Sequence, residues 1–174
     1  MTGWTVERLD AEAAAGAIPA LAEVLIDCVA GGASVSFMAP LPMAKAMAFW
    51  EGVVGGVARG ERALIVARDP EGAIRGTVHL VLAQPENQPH RADVTKLLVH
   101  RRARRSGVGE LLMREIERVA LAEGKTVLVL DTASDDARRL YERLGWTLVG
   151  PIPNYALNPD GSPCGTWVYW KALT

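Results

Sequence analysis

The hydrophobic and polar positions along this chain alternate between two periods, one typical of strands and one typical of helices. Segments with a period of two predict half-buried strands, and segments with apolar residues three or four positions apart predict amphipathic helices. Pro and Gly clusters separate them. The predicted strands are 4–9, 62–68, 73–83, 93–99, 127–130, 146–152 and 166–170, and the predicted helices are 18–30, 43–55, 107–123 and 134–144.

The resulting order, β-α-α-β-β-β-α-β-α-β-β, predicts an α/β fold with a mixed sheet. Adjacent hairpins favour antiparallel pairing, while the later strand–helix–strand units place helices on both faces. At 174 residues the chain is long enough for one domain, spanning residues 1–174, with a core that needs no disulfide or metal. A polar loop rich in Pro, Gly and Asn is expected at residues 153–165, where it could cover a site.

Composition narrows the range of partners and compartments. The formal net charge of −1 gives no global electrostatic case for nucleic acid or a membrane surface. The N-terminus lacks the basic and apolar regions of a signal peptide, and the expectation is that no apolar run reaches the length of a membrane span. Cys28 and Cys164 have no CxxC spacing and indicate neither a disulfide framework nor a metal site. A cytoplasmic chain with reduced thiols is the simplest interpretation.

The strongest chemical signal follows the predicted strand 93–99. Here Arg104-Arg105-Ser106-Gly107-Val108-Gly109 leads directly into the clearest helix of the chain. The first turn of a helix has free N–H groups and a partial positive charge, and glycines let an anion approach the backbone closely. The segment therefore suits a phosphate or pyrophosphate group. It is neither a Walker motif nor a dinucleotide fingerprint; a glycine-containing loop with a solvated basic run is the alternative.

A second block lies on the next predicted helix. It reads Ser134-Asp135-Asp136-Ala137-Arg138-Arg139-Leu140-Tyr141-Glu142-Arg143-Leu144-Gly145-Trp146. Ser134 suits the N-cap of that helix and Gly145 its end. Taken alone, Tyr141 is explained equally well as a core aromatic on the inner helix face.

Together these two blocks resemble the GNAT family of acetyltransferases. Arg104-x-x-Gly107-x-Gly109 matches the family's R/Q-x-x-G-x-G/A signature, and the second block resembles its N-x-x-A-x-x-hydrophobic-Y-x-x-x-G-F/W pattern, with Ser134 where the family often has Asn. Within the family the chain looks most like the tabtoxin-resistance type, for example in Asn158-Pro159-Asp160-Gly161. The resemblance implies the GNAT fold, a mixed, mostly antiparallel twisted sheet, and dimers are common in the family.

The resemblance also implies a reaction, the direct transfer of acetyl from the cosubstrate acetyl-CoA to an amine. The glycine loop would hold the pyrophosphate, the end of the preceding strand would pair with the pantetheine, and Tyr141 would protonate the leaving sulfur. The residues that it assigns to the acetyl-CoA site are Leu97, Leu98, Val99, Arg104, Arg105, Ser106, Gly107, Val108, Gly109, Ser134 and Tyr141.

The general base is left open between two carboxylates. Asp93 lies at the start of one predicted strand and Asp131 at the carboxyl end of the next, where open α/β sheets place ligands. Each is also explained as a solvated aspartate, and Asp131 as a cap for the following helix. The candidates for contact with the acceptor are Phe37, Trp50, Asn154 and Tyr155. Phe37 and Trp50 are equally suited to the core.

The acceptor itself is not encoded in any motif. A small-molecule primary amine, such as a toxin, an antibiotic or an amino-acid-like compound, is the leading interpretation. A protein N-acetyltransferase and a non-catalytic acyl-CoA sensor are the alternatives. Nucleic-acid binding through the arginines of residues 101–105 predicts an affinity that falls steeply with salt, and the sequence offers no aromatic platform for it.

Overall fold

The computed structural model describes residues 3–174 and has the predicted order of elements. Met1 and Thr2, part of the N-terminus in which no signal peptide was recognised, lie outside the described residues. The elements are β1 (Thr5–Leu9), α1 (Ala11–Ala30), α2 (Met43–Ala58), β2 (Arg62–Arg68), β3 (Ile74–Val81), β4 (Arg91–Val99), α3 (Val108–Ala122), β5 (Val127–Thr132), α4 (Asp135–Arg143), β6 (Thr147–Leu157) and β7 (Pro163–Ala172).

The seven strands form one sheet in the order β1-β2-β3-β4-β5-β7-β6. Only β4 and β5 run parallel, because α3 crosses between them, while every other neighbouring pair is antiparallel. The expectation of a mixed, mostly antiparallel sheet with helices on both faces is confirmed.

Each face of the sheet carries its own hydrophobic core, and alternation along β2 shows the division. Leu64 and Val66 pack with α1 and α2, whereas Ile65 and Ala67 pack with α3 on the opposite face. All four side chains are fully buried. The period of two along the strand therefore fixes which residues can reach a site on either face.

Helix α1 is longer than the sequence pattern predicted. It begins at Ala11, capped by the carboxylate of Asp10, and Gly16 and Pro19 inside it obscure the helical period. At 20 residues it is long and apolar enough, by length and composition, to cross a membrane, so the expectation that no segment reaches this length was wrong. Its fully buried Leu21 and Leu25 pack against the sheet, as in the core helix of a globular protein.

The loop expected at residues 153–165 is mostly strand, which is a second correction. β6 continues to Leu157 and β7 begins at Pro163, so only a short turn joins them. The pairing shifts register between Ile152 and Ala156, with Asn154 in the left-handed region at φ 54°. The Pro and Asn residues that suggested a loop form an irregular but paired hairpin.

Two parallel strands part in the middle of the sheet. β4 and β5 are paired only along Arg91–Asp93 and Val127–Val129. Beyond that point β4 bulges against β3, and Lys96 has a φ of 54° at the irregularity. From residue 94 onward the edge of β4 that faces β5 therefore has no strand partner, and the sheet opens into a V.

Candidate active site

A cleft of about 1250 Å³ occupies this V and crosses the sheet from one face to the other. At one end it is lined by the N-terminus of α3 and by α4. At the other end it is lined by α2, by the ends of β2 and β3, and by the loop between α1 and α2. The volume exceeds that of most small-ligand pockets and suits an extended molecule together with a second, smaller one.

The loop before α3 presents unused backbone donors to this cleft. Arg105 (φ 60°) and Gly107 (φ 82°) both adopt the left-handed region, and Gly107 is the N-cap of α3. The amides of residues 105–107 donate to no acceptor within residues 3–174. Three free N–H groups and the positive end of a helix dipole form an anion-binding cradle. This geometry is compatible with the phosphate site expected from the sequence, which stays a prediction.

The two glycines of this loop are required for different reasons. A Cβ on Gly107 would meet nothing within 4 Å, so its positive φ explains why glycine suits that position. A Cβ on Gly109 would lie 3.3 Å from Cδ2 of Leu140, so Gly109 also allows α3 to approach α4 closely. One glycine shapes the cradle and the other sets the helix packing beside it.

The basic side chains of Arg104 and Arg105 both line the cleft, but only that of Arg104 is fixed by a hydrogen bond among the described residues. Arg104 Nε donates to the carbonyl of Val99 at 3.2 Å, while Arg105 is exposed and lines the cleft. Ser106 Oγ donates to the carbonyl of Ala103 and does not line the cleft. Any contribution of Ser106 to anion binding would therefore come from its backbone amide.

Asp27 of α1 anchors this loop from the opposite face of the sheet. Its carboxylate accepts from the backbone amide of Arg101 at 2.8 Å and from Arg101 Nε at 3.0 Å. Burial would raise the pKa of Asp27, but these hydrogen bonds and the charge of His100 lower it overall. The loop is thus tied to the core of the α1–α2 face.

The carboxyl half of β4 forms one wall of the cleft. Leu97, Leu98 and Val99 all line it, and Leu98 is buried. Alternate backbone groups of this unpaired edge face the gap toward β5, where an extended amide-containing chain could pair with them as a strand would.

Tyr141 on α4 has its ring in the core and its hydroxyl at the cleft. The side chain is only 4% exposed, and the ring packs against Trp146 and Tyr169 at centroid distances of 5.9 Å. The hydroxyl has no hydrogen-bond partner among residues 3–174 and is not sealed from solvent. Burial raises the pKa of this phenol, and the charge of Asp131 adds to the shift. Tyr141 is therefore a protonated donor aimed into the cleft.

Asp131 lines the cleft at the end of β5 and is exposed to it. One carboxylate oxygen accepts from Thr166 Oγ1 at 2.7 Å, and the other has no partner among the described residues. Asp131 does not cap α4; Ser134 does, since its Oγ accepts from the amide of Ala137 at 3.2 Å. The interpretation of Asp131 as a helix cap was wrong.

Asp93 lies at the apex of the V, and its carboxylate is already engaged. It pairs with Arg91 Nη1 and also accepts from Gln84 Nε2 at 3.1 Å. Arg91 and Gln84 are themselves hydrogen-bonded at 2.6 Å, so the three side chains form a closed network beside the cleft.

The four residues expected to contact the acceptor lie in three different environments. Tyr155 is 56% exposed and lines the cleft, whereas Asn154 faces a separate small pocket behind the β6–β7 hairpin. Trp50 is fully buried and does not line the cleft, so the expectation that it touches a ligand was wrong. Phe37 is also off the cleft wall and packs edge-on against Phe49, which does line it.

Among the cleft residues that were missed from the sequence are Arg62, His79 and Lys96. His79 interrupts the apolar run of β3, and Lys96 interrupts that of β4. A polar residue inside an otherwise apolar strand is the signal that could have found them. None of the three shares a motif with another because they lie on three strands. Within residues 3–174 no cluster of His, Cys, Asp or Glu suited to a metal ion is found.

Comparisons with known proteins agree with this geometry. The family model "Acetyltransferase (GNAT) family" matches residues 27–146, more than half of the chain. Similar solved structures include a GCN5-related N-acetyltransferase from Kribbella flavida (21% identity, TM-score 0.80, 98% of each chain). A phosphinothricin acetyltransferase from Sinorhizobium meliloti, in complex with acetyl-CoA, has 20% identity and a TM-score of 0.77, over 99% of this chain and 89% of that one.

A third similar structure is a ribosomal-protein-alanine N-acetyltransferase from Brucella melitensis (18% identity, TM-score 0.78, 97% of this chain and 99% of that one). At these identities the likeness establishes the fold, which small-molecule and protein acetyltransferases share. The acceptor has to be argued from the cleft.

Proposed function

This chain belongs to the GNAT acetyltransferase family, and we propose that it transfers acetyl from acetyl-CoA directly to the primary amine of a small molecule. The observation that carries the proposal is the common cleft. Arg105 and Gly107, which carry free amides, line it together with Tyr141 and Asp131.

The residues present fit a coenzyme A thioester. The amides of residues 105–107 would hold the pyrophosphate, and the unpaired edge of β4 at residues 94–99 would pair with the pantetheine arm. The loop before α3 and the edge of β4 line the same cleft as Tyr141. Ser134 is committed to capping α4, so a role toward the pantetheine would need a second hydrogen bond from the same hydroxyl.

In the reaction the amine nitrogen attacks the thioester carbonyl carbon, forming a C–N bond as the C–S bond breaks. A backbone amide near Leu98 or Val99 would stabilise the developing oxyanion. Tyr141, whose raised pKa keeps the phenol protonated before the reaction, would donate its proton to the departing thiolate. The proton lost by the amine would go to Asp131, directly or through water.

Asp131 is better placed than Asp93 for this role. One oxygen of Asp131 has no partner among residues 3–174, whereas both oxygens of Asp93 are occupied by Arg91 and Gln84. Asp131 is also close enough to Tyr141 to influence its pKa. We therefore assign Asp131 as the base, with Asp93 and its partners positioning the apex of the V.

The far side of the cleft supports a small acceptor over a protein substrate. The loop between α1 and α2 is hydrogen-bonded to the β6–β7 hairpin, by Ser34 Oγ to the carbonyl of Leu157 at 2.9 Å and by the amide of Ala39 to the carbonyl of Pro159 at 3.0 Å. Both segments line or flank the cleft, and together they bridge it. An extended peptide would need this bridge to open.

Two finer expectations remain part of the proposal. The assignment to the tabtoxin-resistance type rests on sequence features such as residues 158–161, and the fold likeness to a phosphinothricin acetyltransferase is compatible with it. A homodimer is a prediction from the family resemblance, and sedimentation equilibrium would test it.

Calorimetric titration with acetyl-CoA tests the donor site. Gly107→Glu should abolish binding, because it places a carboxylate in the open space before the anion cradle. Gly124→Glu is the matched control: Gly124 also has a positive φ (76°) with open space around its Cβ, but it follows the far end of α3. Equal loss of binding in both folded variants, or no binding by the wild type, would refute the donor site.

A further inference from the structure

We infer that Arg62, His79 and Lys96 form an anion-binding subsite at the acceptor end of the cleft, and that the acceptor amine carries a carboxylate or a phosphorus-acid group. The inference rests on the proposed function and adds the chemical class of the acceptor. It stands on two cationic side chains that line the cleft and are held by neutral partners.

Arg62 is held in place without a carboxylate. Its Nη1 lies 2.9 Å from Nε2 of His79, and it makes no ion pair with any acidic side chain of residues 3–174. Its stem crosses α2 at Gly56, where a Cβ would lie 2.8 Å from Cδ of Arg62. Glycine at this buried helix position thus makes room for the arginine.

His79 is the positioning residue for this guanidinium. Arginine can only donate, so Nε2 of His79 must accept and the ring must be neutral with its proton on Nδ1. The side chain is 1% exposed and packs against Trp50, and burial lowers its pKa to about 3, with the charges of Arg62 and Lys96 acting in the same direction. His79 therefore orients Arg62 without neutralising it.

Lys96 is also held by neutral groups. The bulge in β4 directs it toward the α1–α2 face, where Nζ donates to Ser36 Oγ at 3.1 Å and lies 5.7 Å from the centre of the Phe49 ring. It forms no ion pair with a carboxylate of the described residues. Burial lowers its pKa, the charge of Asp131 acts in the opposite direction, and Arg62 lowers it further.

Two half-buried cations that repel each other are costly to hold in a cleft unless an anion joins them. Neutral partners keep both charges available, which is what recognition of an anionic ligand requires. Asp131 is near enough to act on Lys96, so an acceptor whose anionic group meets Arg62 and Lys96 would bring its amine toward Asp131 and Tyr141. Amino acids and their phosphinate or phosphonate analogues have this arrangement.

Matched acceptors test the subsite. Release of the coenzyme A thiol would be followed with a panel of L-α-amino acids and phosphinate amino acids, each beside its amide or its decarboxylated amine. The wild type should prefer the anionic member of a pair by roughly tenfold to a hundredfold in kcat/KM, as expected for a charge-assisted hydrogen bond. Equal use of the neutral member would overturn the inference.

Three variants separate the subsite from general effects. Arg62→Met and Lys96→Met should each raise KM for the anionic acceptor by roughly tenfold or more, and each should raise KM for neutral amines by much less. Acetyl-CoA binding is compared for Arg62→Met, because Arg62 lies on β2, away from the β4 edge assigned to the pantetheine arm. Arg59→Met is the control, because it removes a nearby charge whose partner is Glu61 outside the cleft. Variants that affect anionic and neutral acceptors alike would refute the assignment, as would a wild type that binds acetyl-CoA but turns over no anionic acceptor.

A failure of the donor site would be seen separately. If acetyl-CoA does not bind, the proposed function fails, and the subsite is then tested alone by saturation-transfer NMR with the amino-acid panel. Signals present in the wild type and lost in Lys96→Met would support the subsite. No difference between these proteins would refute it.

Discussion

Tyr141→Phe removes one oxygen from the wall of the cleft and leaves the packing of the ring in place. The hydroxyl has no partner among residues 3–174, so its loss should change the free energy of unfolding by less than about 0.5 kcal/mol. If the hydroxyl protonates the leaving thiolate, kcat should fall by about 100- to 1,000-fold, equivalent to about 3 to 4 kcal/mol in the barrier.

Tyr169→Phe is the reciprocal control. Tyr169 is fully buried and contacts the Tyr141 ring, but its hydroxyl donates to Glu142 at 2.7 Å and accepts from Arg138 Nε at 3.1 Å. Losing these bonds should destabilise the fold by about 1 to 2 kcal/mol and lower Tm by roughly 2 to 8 °C. The rate should stay within a factor of about three of the wild type, since such a loss barely changes the folded population at assay temperature.

The assay combines thermal unfolding with steady-state kinetics at saturating acetyl-CoA for the three proteins. Tyr141→Phe should lower kcat and leave Tm nearly unchanged, whereas Tyr169→Phe should lower Tm and leave kcat nearly unchanged. If Tyr141→Phe instead loses stability and retains its rate, Tyr141 is a core aromatic and the assigned proton donor is wrong.

Two further predictions concern pH. Because the raised pKa of Tyr141 keeps its phenol protonated, kcat should rise with pH as the acceptor amine loses its proton and should not decline again below about pH 10; a descending limb near pH 8 that disappears in Tyr141→Phe would contradict this. Asp27 has a lowered pKa in the folded state, so its interaction with Arg101 stabilises the protein above the ordinary aspartate pKa of 3.8, and this stabilisation is lost as the pH falls through the pKa of the folded state. Asp27→Asn should therefore lower Tm at pH 7 and lower it progressively less below pH 4; an equal effect at pH 3 and pH 7 would show that the charge is not what matters.

The sequence determined the order of elements and the position of the glycine segment proposed as the anion cradle, because both depend on local patterns. Periodicity of apolar residues is a property of a single helix or strand, and Arg104-x-x-Gly107-x-Gly109 is one continuous segment that runs from the loop into the first turn of α3. Where the local pattern was mixed, the predicted ends of the helices and strands differ from those in the structure. Pro19 and Gly16 obscured the helical period in the first half of α1. Most of residues 153–165, which were predicted as a loop, form strands because β6 pairs with β7.

Only the tertiary structure decided how side chains from separate strands meet. Arg62 and His79 are 17 residues apart, and Lys96 lies on a third strand. In the sequence, each of the three is indistinguishable from an ordinary polar residue. Their proximity depends on strand register and on the bulge of β4, which are set by pairing across the sheet. Trp50 and Phe37 illustrate the same limit, since an aromatic residue on an amphipathic helix or loop can face a core or a cleft. The proposed donor site is therefore encoded largely in one local segment, whereas the proposed acceptor site exists only once the sheet has formed.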